Sequence, residues 1–426
     1  MTFVLLGLLI FLAHLFNAWF SRRRIPDVLL LMIIGLIAGP LTGLVSESDL
    51  SEVGSVVAGV TLFLILFDSG VDLRIDSIRQ YWTGVVQVTL LSFVCSMAAV
   101  TAIAYFWVGL RVDVAMLLGT MVAGTAAAIV IPLVRQMRVS DKTRVTLTLE
   151  SAISGVLCIV ISLAFVEGFK MAEQGGLSMG TMIGKVLASF LMAIIIGLVC
   201  GIVWSAFMDR IRKKQHSLFL TPAFVSILYG FCELLGYSGA IAALAFGIVL
   251  GNTEYFELPF LRHSQHRMTP LQESERGFFS EIIFLLKTFF FVYIGICIPF
   301  RDGWALLYGA VIAAVLFAVR FALIAIVGRN NTAEDRLIVS MMIPKGLVSA
   351  VLASMPEQVN AGLGYELIPH ATLIKEVAYA VIFFSIIICS LLVLTTSRRL
   401  VRDKEELVQD HTLQSDPWNE EQDYEG

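Results

Sequence analysis

Long apolar runs, separated by short polar connections, organise this chain from near its first residue to about residue 400. Thirteen of them recur, near 3–20, 26–46, 54–71, 84–108, 113–134, 145–167, 182–208, 218–235, 238–251, 278–299, 304–328, 337–355 and 376–397. Most have the roughly 17 to 25 residues with which a helix crosses a bilayer, and the shortest, 238–251, is helped by its neighbours. The first run leads into "SRRR" and a second run instead of a small-residue cleavage site, so it reads as a retained helix. The pattern predicts an all-α polytopic membrane protein. Composition agrees, since 58% of the 426 residues are hydrophobic and 15% are charged, a balance that no soluble domain of this length keeps in solution.

The connections carry a strong asymmetry of basic residues. "SRRR", "LRIDSIRQ", "RQMRVSDKTR", "DRIRKKQ", the loop with "LRHSQHR" and "SER", "GRNNTAEDR" and "SRRLVRDK" all fall on one side and together hold 22 Lys and Arg. Only Arg111, Lys170, Lys185, Arg301 and Lys375 fall on the other. Basic loops face the cytoplasm, which predicts an outside N-terminus and a cytoplasmic C-terminus. Residues 401–426 hold nine acids and read as a solvated, disordered acidic tail.

The second span ends "IIGLIAGP" and the ninth "AFGIVLGN", so Gly35 and Gly39 echo Gly247 and Gly251. "FDSGVDLR" in the third is likewise echoed by "YIGICIPFR" in the tenth. An offset of seven spans is odd, and an odd offset makes the two copies inverted repeats, about 3–167 and 218–397, joined by a linker helix at 182–208. The same offset pairs the fifth span with the twelfth. The fifth contains "VAGTAAAIVIPL" and the twelfth "MMIPKGLVSA", each interrupted by residues that break a helical ladder. Matching interruptions in two halves point to a transport site built from freed backbone groups.

Charged side chains within the spans cost about 2.5 to 3.5 kcal/mol even on lenient insertion scales, so each needs a partner or a role. Glu150 lies inside the sixth span and Lys345 in the break of the twelfth, and the economical expectation is that they face each other. Such a pair is either structural or exchangeable with protons and cations. Ser154 shares a helical face with Glu150, Ser151 is adjacent, and Thr125 stands in the fifth-span break. One carboxylate, these hydroxyls and freed carbonyls suit a weakly held monovalent cation. Asp68, Lys287 and Arg320 are supporting charges: Asp68 as a helix cap, Lys287 as a snorkelling side chain, and Arg320 against carbonyls at a helix break. Glu233 and Glu281 lie close to water, His14 reads as a packing residue, and His263 and His266 as part of a solvated loop. The six cysteines lie in apolar segments without metal-ligand spacing and read as packing residues.

With these residues on the page, the chain resembles the monovalent cation/proton antiporter superfamily over nearly its whole length. "IPDVLLLMIIGLIAGP", "LFLILFDSGVDL", "ELLGYSGAIAALAFGIVLGN", "LESAISGVL" and "PKGLVSAV" are each similar to family segments. The resemblance implies a homodimer, an elevator-like core, and unwound segments of the fifth and twelfth spans crossing beside the sixth. This chain departs from the family where the ion is usually bound. Thr125-Ala126-Ala127 stands in place of Thr-Asp-Pro, and Ser154-Gly155 in place of Asn-Asp or Asp-Asp. Glu150 and Ser151 match the family's Glu-Ser, and Lys345 takes the place of a basic residue that in relatives bonds the glutamate.

The expected function is exchange of Na+ or K+ for protons in the plasma membrane, at a noncanonical site centred on Glu150, without cofactor, resident metal or nucleic acid. The alternatives are a transporter-like sensor that has lost coupling and a carrier of an anion. No phosphate-binding glycine run or metal-ligand spacing supports an enzyme.

Overall fold

The computed structural model describes residues 7, 11, 14, 15, 27–45, 47–73, 75–137, 139–173, 179–212, 217–256, 271–298, 303–327 and 332–414. Most of the predicted first span, the loop with His263 and His266, and the tail beyond Gln414 lie outside the described residues.

Every long regular element among the described residues is a helix. Helix α1 (Asp27–Leu36) passes into a π turn (Ile37–Leu41) around Pro40 and is followed by α2 (Glu47–Asp72) and α3 (Ile75–Ile103). Next come α4 (Val112–Ala123) and α5 (Ala127–Gln136), the two halves of the fifth span. The chain continues through α6 (Asp141–Glu173), α7 (Met179–Arg212), α8 (Leu220–Leu234), α9 (Gly239–Gly251) and the short α10 (Thr253–Phe256). After α11 (Glu273–Ile296) and α12 (Gly303–Val327), the twelfth span divides into α13 (Ala333–Met341) and α14 (Leu347–Leu363), and α15 (Ala371–Gln414) closes the series. Each predicted span from the second onward thus has its helix, and seven stretches are long and apolar enough to cross a membrane.

Boundaries differ where polar residues extend a helix beyond its apolar run. Ser140 caps the start of α6 by accepting from the amide of Thr143, which carries that helix into "DKTR". Helix α15 likewise continues to Gln414, into the segment where disorder was expected.

Glycines set the closest helix crossings, and they do so twice. On α1, a Cβ at Gly35 would stand 2.1 Å from the carbonyl of Val292 and 2.9 Å from the Cα of Gly295 on α11. On α9, a Cβ at Gly247 would stand 2.2 Å from the carbonyl of Phe67 on α2, and Gly70 meets the same crossing from the α2 side. The pairs Gly35–Gly295 and Gly247–Gly70 are the same contact with the repeats exchanged. The inverted repeat is therefore visible as packing: the second span of each copy lies on the third span of the other.

Two apolar cores result. One fills the space among α1, α3 to α6 and α11 to α15 and takes in Leu66 of α2 and Ala240 and Leu244 of α9; the other lies among α2, α7, α8, α9 and α11. Between them, at one end of the bundle, buried Asn252 closes a junction. It accepts from the amide of Ile75 at the start of α3, and it donates to the carbonyls of Leu73, just past α2, and of Ile248 on its own helix. At the other end of α9, Glu233 accepts from the amide of Gly239, so it caps that helix and has a defined structural role.

Candidate functional site

The two interrupted spans meet at their breaks. Helix α4 stops at Ala123 because Gly124 and Ala126 take extended conformations (φ −70°, ψ 167° and φ −84°, ψ 101°). Helix α13 stops at Met341, and the chain stays non-helical until Leu347. The amide of Ala126 donates to the carbonyl of Pro344 at 2.8 Å, tying one break to the other. A Cβ on Gly346 would lie 2.5 Å from that of Ala126. A crossing this close requires glycine at 346 and a small residue at 126.

Lys345 lies within the crossing and is 1% exposed. Its ammonium donates to the carbonyls of Ala123 at 3.1 Å and Gly124 at 2.9 Å, while its own amide donates to the Ser385 hydroxyl on α15. A positive charge at the carbonyl end of a half-helix is favourably placed with respect to the helix dipole.

The expected Glu150–Lys345 pair does not form. Glu150 instead takes a bidentate ion pair from Arg320 on α12, with oxygen–nitrogen distances of 2.5 and 2.7 Å and both residues almost fully buried. The guanidinium also donates to the Ser92 hydroxyl on α3 and, through Nε, to the carbonyl of Val339 near the end of α13. Arg320 thus has both the helix-end role expected of it and the glutamate that Lys345 was expected to bond. The physical reason is geometric: a planar fork matches a carboxylate bidentately, whereas the lysine is held off by the carbonyls it already satisfies.

Thr125 and Ser154 come together as expected. The Ser154 hydroxyl accepts from the amide of Thr125 at 3.1 Å and lies 3.0 Å from the Thr125 hydroxyl. The hydroxyls of Ser151 and Ser154 also donate one turn back, Ser151 to the carbonyl of Thr148 and Ser154 to that of Ser151, but it is Ser154 that meets the break. Asp68 lies within the last turns of α2, in electrostatic reach of Asp72 and Arg276. Lys287 lies over the ring of Phe284, with His14 edge-on to the same ring.

Three groups at the crossing escaped the sequence reading. Ser385 supports the twelfth-span break as Ser154 supports the fifth, one serine on the last helix of each repeat. Ser92 completes the Arg320 cluster. Cys158, four residues beyond Ser154 on the same face, accepts from the amide of Gly124 at 2.9 Å and donates to the carbonyl of Thr120 at 3.1 Å. That spacing was its only signal, and its apolar surroundings masked it.

The site therefore gathers two carbonyls, two hydroxyls and an ammonium at a crossing of unwound backbone, beside a neutralised Glu150–Arg320 pair. The lysine head occupies the two carbonyls.

The chain matches the family described as "Sodium/hydrogen exchanger, transmembrane" over residues 7–399. It is similar to Na(+)/H(+) antiporter 1 of Methanocaldococcus jannaschii, at 24% identity over 82% of this chain and 81% of the relative. It is also similar to the K(+)/H(+) antiporter NhaP2 of Shewanella baltica, at 26% identity over 94% of this chain and 67% of the relative. A solved structure of the sodium proton antiporter MjNhaP1 from Methanocaldococcus jannaschii at pH 8 superposes with a TM-score of 0.74, at 20% identity, covering 92% of this chain and 98% of that one.

Proposed function

Because the chain belongs to the sodium/hydrogen exchanger family, we propose that it exchanges one monovalent cation for one proton at the crossing, with Lys345 as the proton-carrying group. The observation that carries this reading is the ammonium of Lys345 on the carbonyls of Ala123 and Gly124. It stands where a Na+ or K+ would be held, as a cation tethered to the protein.

Competition follows from electrostatics. Two unit charges about 4 Å apart at an effective dielectric constant of about 20 repel by about 4 kcal/mol, or about three decades in binding. A cation therefore enters the carbonyls, with the Thr125 and Ser154 hydroxyls as further ligands, only when Lys345 gives up its proton and swings out. Rebinding of a proton to Lys345 expels the cation. Total charge at the site is the same in both loaded states, and Glu150 acts by balancing Arg320 and not as a ligand.

In this reading the core of α3 to α6 and α12 to α15 carries the crossing across the plasma membrane by an elevator movement. It moves against the remaining helices, which hold a homodimer together. The second apolar core supports that partition, because none of its buried residues comes from the moving helices. The functions of the relatives, Na(+)/H(+) and K(+)/H(+) antiport, support the choice of ions.

The test is proton flux in proteoliposomes under an imposed pH gradient, with Na+, K+ and Li+ added in turn to wild type and Lys345→Gln. Wild type is expected to dissipate the gradient on adding a cation, and Lys345→Gln to lose that response while remaining folded. Cation-coupled proton flux retained in Lys345→Gln would overturn the assignment. A second reading, transport of an anion, draws on the net positive charge of Glu150, Arg320 and protonated Lys345. It requires flux that follows an anion gradient and ignores the cation.

A further inference from the structure

We infer that Cys158 is a positioning residue for the transport site, a thiol wedge that keeps the end of α4 unwound so that the carbonyls of Ala123 and Gly124 face Lys345. The inference rests on the site proposed above. It begins with the register of the helix: the amide of residue 124 in a continuing helix would bond the carbonyl of residue 120. Both groups are instead bonded to the Cys158 sulfur, which accepts from the Gly124 amide and donates to the Thr120 carbonyl. The thiol has been inserted into the first hydrogen bond that the ladder loses.

Three further observations fit a wedge better than a filler. A Cβ on Gly124 would lie 2.6 Å from the Cys158 sulfur and 2.9 Å from the carbonyl of Ser154, so the break is pressed against α6 at this point. Ser154, one helical turn earlier, takes the next amide, that of Thr125. Two successive amides of the break are thus held by two side chains four residues apart on one face of α6, and the carbonyls of the same two peptide units are left to the lysine. Cys158 is 1% exposed and lies in electrostatic reach of Lys345, which places the wedge at the site itself.

A sulfhydryl is a weak donor and acceptor, and a serine hydroxyl offers both functions in a smaller group. Alanine offers neither, so the Gly124 amide is free to return to Thr120 and rewind the break by one residue. Cys158→Ser is therefore expected to keep the apparent KM for Na+ or K+ within about threefold of wild type. Cys158→Ala should raise it about tenfold, the effect of one lost polar interaction. Hydrogen–deuterium exchange on the full-length protein supplies a readout independent of transport: amides of 121–127 are expected to exchange at an altered rate in Cys158→Ala and at the wild-type rate in Cys158→Ser. Unchanged exchange together with unchanged KM in a folded Cys158→Ala would overturn the wedge. Altered exchange with no cation-driven proton flux in wild type would leave the wedge standing and remove the antiport reading.

Discussion

Glu150 and Arg320 form a two-pronged ion pair between α6 and α12, inside a packed interior and with Ser92 and the Val339 carbonyl sharing the guanidinium. Removing one partner of a buried pair leaves an uncompensated charge, at a cost of about 3 to 5 kcal/mol. Glu150→Gln is expected to lower the thermal midpoint sharply, and Glu150→Gln with Arg320→Gln to recover much of the loss. A double variant no more stable than Glu150→Gln alone, by thermal unfolding in detergent, would show that the pair has another role.

Ser151 and Ser154 are close in sequence and buried alike, but only Ser154 touches the fifth-span break. Ser154→Ala removes the acceptor for the Thr125 amide and a proposed ligand, and is expected to raise the apparent KM for the cation about tenfold. Ser151→Ala should change it less than about twofold, because the bond its hydroxyl makes, to the carbonyl of Thr148, lies within α6 and away from the break. Initial rates across a cation titration separate the two, and equal effects would contradict the geometry.

Gly346 and Ala126 define how closely the two breaks approach. A methyl group at 346 must displace the backbone, so Gly346→Ala is expected to abolish transport while the protein remains folded. Ala126→Gly vacates the space that this methyl would enter. The pair Gly346→Ala with Ala126→Gly should therefore recover activity that Gly346→Ala loses, and failure of that rescue would place the defect elsewhere.

The exchanged glycine contacts predict equal sensitivity in the two halves. Gly247→Ala would set a Cβ 2.2 Å from the Phe67 carbonyl, and Gly35→Ala, its counterpart in the first half, would set one 2.1 Å from the Val292 carbonyl. Each is expected to destabilise the fold by about 1 to 3 kcal/mol through overpacking. Thermal unfolding that finds one substitution costly and the other neutral would argue against equivalent crossings.

The spans from the second onward, the two breaks and the paired glycine crossings were legible because each is written in periodicity or in paired glycines and prolines. The partner of Glu150 was not, since pairing depends on how each helix is turned about its axis. Helix α12 is apolar almost all round, so its sequence carries no face from which to place Arg320. Lys345 lies on non-helical backbone, where spacing assigns no direction at all. Cys158 shows the same limit in reverse, because an apolar stretch describes both a filler and a wedge. The helical course of 401–414 was hidden by charge density, which marks solvation more directly than it marks secondary structure.

The junction held by Asn252 also limits how the two apolar bodies can separate. From Leu73, just past α2, to Ile75, at the head of α3, the chain has only two residue steps, a reach of about 7 Å when fully drawn out. A carrying movement of several ångströms therefore has little slack at this end of the bundle. The carrying movement proposed above would be smallest at this short connection and grow with distance from it, toward the opposite end of α3.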